Sequence, residues 1–229
     1  MERRKFIDRG EYLAQGSEGE IWESEDGVYK EFKFSVTLVE RLRKEKLLLY
    51  LEKLEHLKQY YPNIKYLVDS LFGLCMRGYV MSPVNKTKLS VDYFEIEEVL
   101  DLLGRLRNII DLFKKEGLYY FDIREPNIRV LNGSPLFLDI DSLIMRDDKR
   151  LYVVPSDLEP YLYRGGKIDE NAQIVMFNSF TMNALGGFVS QLGYDSVALD
   201  ILVAKNSGKL HDSAWDHEYF YEHVYKKVR

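Results

Sequence analysis

The chain has 229 residues, 46% of them hydrophobic and 30% charged, with a net charge of −5 at neutral pH. That balance excludes a disordered chain, and the acidic excess argues against a general nucleic-acid binder, which would be basic. A lone cysteine, Cys75, excludes an internal disulfide and fits a reducing compartment.

The length suits one domain or two small lobes around a cleft. The opening residues, MERRKFIDRGEY, carry charges but no apolar segment, so no signal peptide is expected. No run approaches the ~18 consecutive apolar residues of a membrane span. A cytoplasmic monomer is expected, with no membrane and no nucleic-acid partner.

Residues 12–34 predict three short strands. The first runs into Gly16-Ser17-Glu18-Gly19, residues 20–23 alternate polar and apolar, and Glu25-Asp26-Gly27 turns the chain into residues 28–32. Paired glycines between strands make either an ordinary hairpin or a loop whose backbone N–H groups approach a phosphate without a Cβ in the way. In the third strand Val28, Lys30 and Phe32 share one face, while Lys33 lies on the other with Tyr29 and Glu31.

Residues 36–60 predict one long amphipathic helix, with Leu47, Leu48, Leu51 and Leu54 at three- and four-residue spacing. Residues 66–69, 71–76 and 77–81 read as strands, and Pro83 ends the last because it cannot donate to a ladder. Residues 85–89 form a polar linker. The stretch 91–117 contains a second amphipathic helix, striped by Val99, Leu102, Leu103, Leu106, Ile109, Ile110 and Phe113 and stopped by Gly117.

A loop carrying Asp122, Pro126 and Asn127 follows, then two apolar runs, 128–131 and 136–140, around Asn132-Gly133-Ser134-Pro135. Asn-Gly is a strong hairpin signal because both residues tolerate positive φ. The hairpin is expected to bring Asp139 back beside Asn127 and Asp122. Two carboxylates and an amide then make a hard, oxygen-rich site suited to Mg²⁺.

The pattern Asp122-x4-Asn127, followed by an apolar strand ending in Asp139, resembles the catalytic loop and metal-binding Asp of the protein-kinase-like family. LAQGSEGEI, residues 13–21, resembles that family's glycine-rich loop, although Ala14 stands where the first glycine usually falls. The resemblance implies a two-lobed α+β protein-kinase-like fold. Residues 1–84 would form an antiparallel β-sheet with one long helix, and residues 85–229 a mainly helical lobe.

It also implies roles. Gly16, Ser17 and Gly19 would cradle ATP phosphates, Ile21 and Val28 would cover adenine, and Lys30 would hold the α- and β-phosphates. Glu45, or else Glu40, would pair with Lys30. Met81 would be the gatekeeper, and the backbone of Ser82 to Val84 would meet the adenine edge. Asp122 would activate the attacking hydroxyl, Arg124 would neutralise the transferring phosphoryl, and Asn127 and Asp139 would hold Mg²⁺. Asp141 reads as a turn residue or else as an extra acidic ligand, and Gln173 stands where the family has a bracing aspartate. The resemblance fades beyond Asp141, where residues 184–229 predict only helices. The implied reaction is ATP-dependent phosphoryl transfer to a hydroxyl, on a protein Ser/Thr or a small molecule. The departures at Ala14, at Gln173 and at Phe121, where Tyr120-Phe121-Asp122 stands in place of the family's His-Arg-Asp, leave a nucleotide-binding pseudokinase scaffold as the third reading.

Overall fold

Strand alternation and a capped helix build an α+β chain that divides into two compact units, Met1–Lys86 with Leu136–Asp141, and Thr87–Pro135 with Ser142–Arg229. The structure is a computed structural model describing residues 1–70, 73–84 and 96–148, with Gln173, Phe177, Phe180, Thr181 and Ala184. The expected linker at 85–89, the segment 156–183 apart from four residues, and the helices beyond Ala184 lie outside the described residues. No helix among the described residues is long and apolar enough to cross a membrane.

The first unit carries a six-stranded sheet in the order β1-β5-β6-β4-β3-β2. Its strands are β1 (Glu2–Arg4), β2 (Tyr12–Gln15), β3 (Gly19–Ser24), β4 (Gly27–Phe32), β5 (Ile64–Asp69) and β6 (Met76–Met81). All neighbours pair antiparallel except β1, which runs parallel to β5 and makes the sheet mixed. The antiparallel expectation fails there because Glu2-Arg3-Arg4 has no apolar alternation to signal a strand. Its side chains hold it instead: Arg3 pairs with Asp69 at 2.6 Å and Glu45 at 2.8 Å, and Arg4 lies 3.9 Å above the Tyr66 ring.

Both sheet faces are covered. Tyr29, Tyr66, Val68 and Val80 form one buried cluster, with Ile7 and Trp22 packed on it. On the other face Phe32, Leu67 and Tyr79 are buried together with Leu47, Leu48 and Leu51 of α1 (Leu38–Lys53). The helix starts at a capping box, in which Thr37 accepts from the Glu40 N–H and Glu40 accepts from the Thr37 N–H. It is shorter than the predicted 36–60. The chain leaves the helix at Leu54 and continues as a 3₁₀ turn, Glu55–Tyr60, so Leu54 does not extend the stripe.

The strand expected at 71–76 also differs. Leu71 and Phe72 lie outside the described residues, but Ser70 and Cys75 close a turn through a 2.9 Å hydrogen bond. Gly73 there has φ +65°, a left-handed value that favours glycine.

In the second unit α2 (Ile96–Lys115) ends at Gly117, φ +70°, as its sequence stop implies. The buried residues of its described length are those of the predicted stripe, from Val99 to Phe113. β7 (Leu118–Tyr119) pairs antiparallel with β10 (Ile144–Met145). Between them β8 (Ile128–Leu131) and β9 (Ser134–Phe137) form the predicted hairpin, with Asn132 and Gly133 at φ 51° and 75°. β9 stops at Phe137, so Asp139 lies beyond the strand rather than in it, and Asp141 lies in a 3₁₀ turn, Ile140–Ser142.

Candidate functional site: a buried lysine–aspartate cluster

Cross-strand register decides which side chains meet in the first unit. Lys30 on β4 lies opposite Ile21 on β3 and Tyr79 on β6, so the three share one sheet face. Val28 lies opposite Met81 on that same face. Lys30 and Tyr79 are both buried, and each reaches a carboxylate of the segment 136–141.

The Lys30 ammonium donates to Asp139 Oδ1 and, at 2.7 Å, to Asp141 Oδ1. Asp141 is fully buried and is the hub of the cluster. Its Oδ1 also accepts from the Tyr79 hydroxyl at 2.7 Å, and its Oδ2 accepts from Lys44 at 3.0 Å. Lys44 is itself 1% exposed, donates to the Asp141 carbonyl at 3.0 Å, and reaches Glu18 Oε2 at 2.7 Å. Its charge also lies 5.6 Å from the Phe32 ring centroid. A buried carboxylate is tolerated only when paired and hydrogen-bonded, and Asp141 has three donors.

These partners set the charge states. Burial alone would raise the Asp141 carboxyl, but Lys30, Lys44 and Tyr79 hold it well below the ordinary carboxylate range. Burial likewise works against the Lys30 ammonium, yet Asp141 and Asp139 hold its pKa well above the ordinary value. Burial, then Asp141, pushes the Tyr79 hydroxyl well up. Asp139 differs. Burial raises its carboxyl above the ordinary value and Lys30 opposes this, although 28% of its side chain stays exposed.

Lys30 therefore meets Asp139 directly, but neither glutamate expected beside it is there. Glu45 accepts from Arg3 at 2.8 Å and from the Met76 N–H at 3.1 Å, and Glu40 is held by the Thr37 cap. Helix phase explains this: the residue that α1 turns toward the cluster is Lys44, one turn before Leu47 and Leu48 on the buried stripe. Lys44 and Tyr79 are the residues that sequence reasoning missed, and Asp141, in a turn as read, is also the cluster's central acceptor. A lysine in phase with three buried leucines was the available signal for the first.

Around the glycine turn the Gly16 N–H donates to the Gly19 carbonyl at 2.8 Å, and Lys33 Nζ donates to the Gly16 carbonyl at 2.7 Å. Ser17 is exposed and Ile21 and Val28 are half-buried. A Cβ on Gly19 would lie 2.8 Å from the Glu31 carbonyl and 3.4 Å from the Lys30 stem, so glycine lets the loop close onto that lysine. Gly16 has no such constraint, its nearest neighbour being 3.9 Å away. At the end of β6 the Ser82 N–H donates to Asn63 at 2.8 Å, and Pro83 has no N–H to offer. Of the stretch expected to meet adenine, Val84 is the residue with a donor beyond these.

The second unit holds Asp122, Arg124 and Asn127 in one short loop. Asn127 Nδ2 donates to Asp122 Oδ2 at 2.6 Å and to the Asp122 carbonyl at 3.1 Å. Arg124, an exposed side chain, donates to Asp122 Oδ2 at 2.8 Å. Its Nε lies 2.6 Å from Oδ1, an ionic contact off the hydrogen-bond axis. The amide nitrogen of Asn127 is thus turned to Asp122, which leaves its Oδ1 as the atom a hard cation would use. Gln173 is buried and helical, and its Nε2 has no acceptor among the described residues.

Among the described residues no three His, Cys, Asp or Glu side chains converge as a metal site. Mg²⁺ does not need them: it commonly binds through one or two carboxylates together with substrate phosphates and water. Asp139 in the first unit and Asn127 in the second each carry an oxygen of the kind Mg²⁺ takes. No protein-family model matches the chain, and no curated protein matches its sequence.

Proposed function

We propose that the protein is an ATP- and Mg²⁺-dependent phosphotransferase of the protein-kinase-like class, with a two-lobed fold, transferring the γ-phosphoryl group to a hydroxyl of a protein Ser or Thr. The observation that carries the reading is the buried Lys30 on β4, packed under Gly19 and ion-paired with Asp139. A lysine kept charged beneath a glycine turn is suited to the α- and β-phosphates. Ile21, Val28 and Met81 supply apolar cover for adenine. Asp139 would hold Mg²⁺, which would supply neutralisation of phosphate charge when bound.

Asp122 is assigned to orient and deprotonate the attacking hydroxyl. Its carboxylate is steadied by Asn127, and Arg124 is available to follow charge onto the transferring group. Catalysis of this kind rests on positioning and electrostatics rather than on covalent chemistry.

A nucleotide-binding scaffold is the second reading. The observation in its favour is that Arg124 and Asn127 both engage the Asp122 carboxylate. A small-molecule acceptor remains the alternative within the enzymatic reading. Incubation with radiolabelled ATP and Mg²⁺ separates the three. Label on protein, lost in Asp122→Ala and Asp139→Ala, is the expected result. Label confined to a metabolite pool would move the acceptor to small molecules. Nucleotide-induced thermal stabilisation without turnover would leave the scaffold, and no stabilisation by ATP would end the nucleotide reading.

A further inference from the structure

Lys44 is a buried cation with a divided set of partners. Two of its three donors go to Asp141, through Oδ2 and the main-chain carbonyl, on the same segment as Asp139. The remaining partner, Glu18, comes from the glycine turn and keeps 43% of its side chain exposed. These partners are not equivalent. Withdrawing Asp141 would strand a buried charge, whereas Glu18 can swing into water and regain its hydration there.

We propose that Lys44 is an anion-binding residue for phosphoryl oxygens, and that Glu18 is its resident, displaceable stand-in. A carboxylate oxygen 2.7 Å from an ammonium occupies the position a phosphate oxygen would take, and both are recognised by the same donor. The charge balance points the same way. Lys30 and Lys44 face Asp139, Asp141 and Glu18, a net charge of one negative unit. When Glu18 leaves, the remaining four groups balance, so a polyphosphate meets a neutral cluster with Lys44 open toward the glycine turn. This inference rests on the nucleotide reading for the identity of the polyphosphate, but not for the exchange itself.

Titration calorimetry with two probes, inorganic tripolyphosphate and Mg²⁺-ATP, tests it. Glu18→Gln is the decisive variant, because a half-exposed loop carboxylate is not needed for folding. Its affinity for both probes is expected to rise roughly 5-fold, about 1 kcal/mol. Glu20→Gln removes the same charge from β3 without touching Lys44 and is expected to leave both affinities within about 2-fold. In a Lys44→Met background, checked for folding by circular dichroism, the Glu18→Gln gain should vanish.

If wild type binds both probes and Glu18→Gln matches it, the exchange is refuted and the nucleotide reading stands. An equal gain in Glu20→Gln would reduce the effect to the general field of the protein and also refute it. Tripolyphosphate binding that tightens in Glu18→Gln, with no response to ATP, would keep the exchange and remove the nucleotide. Silence from both probes in both proteins would overturn both.

Discussion

Asp141→Asn tests the central structural reading, because it changes one atom type at the hub of the buried cluster. Asp141 Oδ1 accepts from Lys30 and Tyr79 and Oδ2 accepts from Lys44, all within 3.0 Å. An asparagine keeps one acceptor oxygen and turns the other position into a donor. In either amide orientation an N–H group faces an ammonium, and Lys30 is then left with Asp139 and Lys44 with Glu18, each a partly exposed carboxylate. Removing one partner of a buried ion pair costs about 3–5 kcal/mol, a large share of the ~5–15 kcal/mol that holds a domain folded. With a urea dependence of about 1.5 kcal/mol per molar, the unfolding midpoint should fall by about 2–3 M. Urea titration followed by far-UV circular dichroism measures this. Asp139→Asn, at a side chain 28% exposed, should move the midpoint by clearly less. A shift below about 0.5 M in Asp141→Asn, or a larger one in Asp139→Asn, would refute the assignment of Asp141 as the hub.

Acid stability should follow the same two aspartates in opposite senses. Asp141 titrates well below its unfolded value, so its contribution is complete above about pH 4 and is lost as the pH falls further, at up to about 1.4 kcal/mol per pH unit. Asp139 titrates above its unfolded value, so protonating it on the way down favours the folded state and offsets the loss. Asp139→Asn should therefore lose that offset, and its midpoint-versus-pH curve should lack the wild-type gain above pH 4. Gly19→Ala should destabilise by about 1–3 kcal/mol, because its Cβ meets the Glu31 carbonyl at 2.8 Å. Gly16→Ala should leave the melting temperature unchanged, so any loss of ATP affinity in it reports ligand approach. Glu45→Gln should cost about 1 kcal/mol through its Arg3 and Met76 contacts. It should leave ATP affinity intact, and a loss of nucleotide binding there would reinstate Glu45 as the partner of Lys30.

Local pattern was enough to read strands β2 to β4, the Asn132-Gly133 hairpin and the stripe of α2, since each follows from period, turn chemistry or capping within a few residues. Alternation likewise put Val28, Lys30 and Phe32 on one face. It did not reveal β1, a polar triplet whose place depends on β5, some sixty residues later, and on ion pairs to Asp69 and Glu45. Nor did it separate Asp139 from Asp141. Both follow an apolar strand, and only the burial of the second, with three donors aimed at it, makes it the hub.

Strands β2 to β4, the 128–137 hairpin, the stripe of α2 and the face on which Lys30 stands were all legible in the chain, because backbone geometry ties side-chain direction to residue position. Tertiary structure decided which charges meet. Helix phase put Lys44 rather than a glutamate toward Asp141, and the chain's return at residues 136–141 supplied that acid. Partner choice among buried charges depends on desolvation and on donors distant in sequence, and no local pattern encodes either.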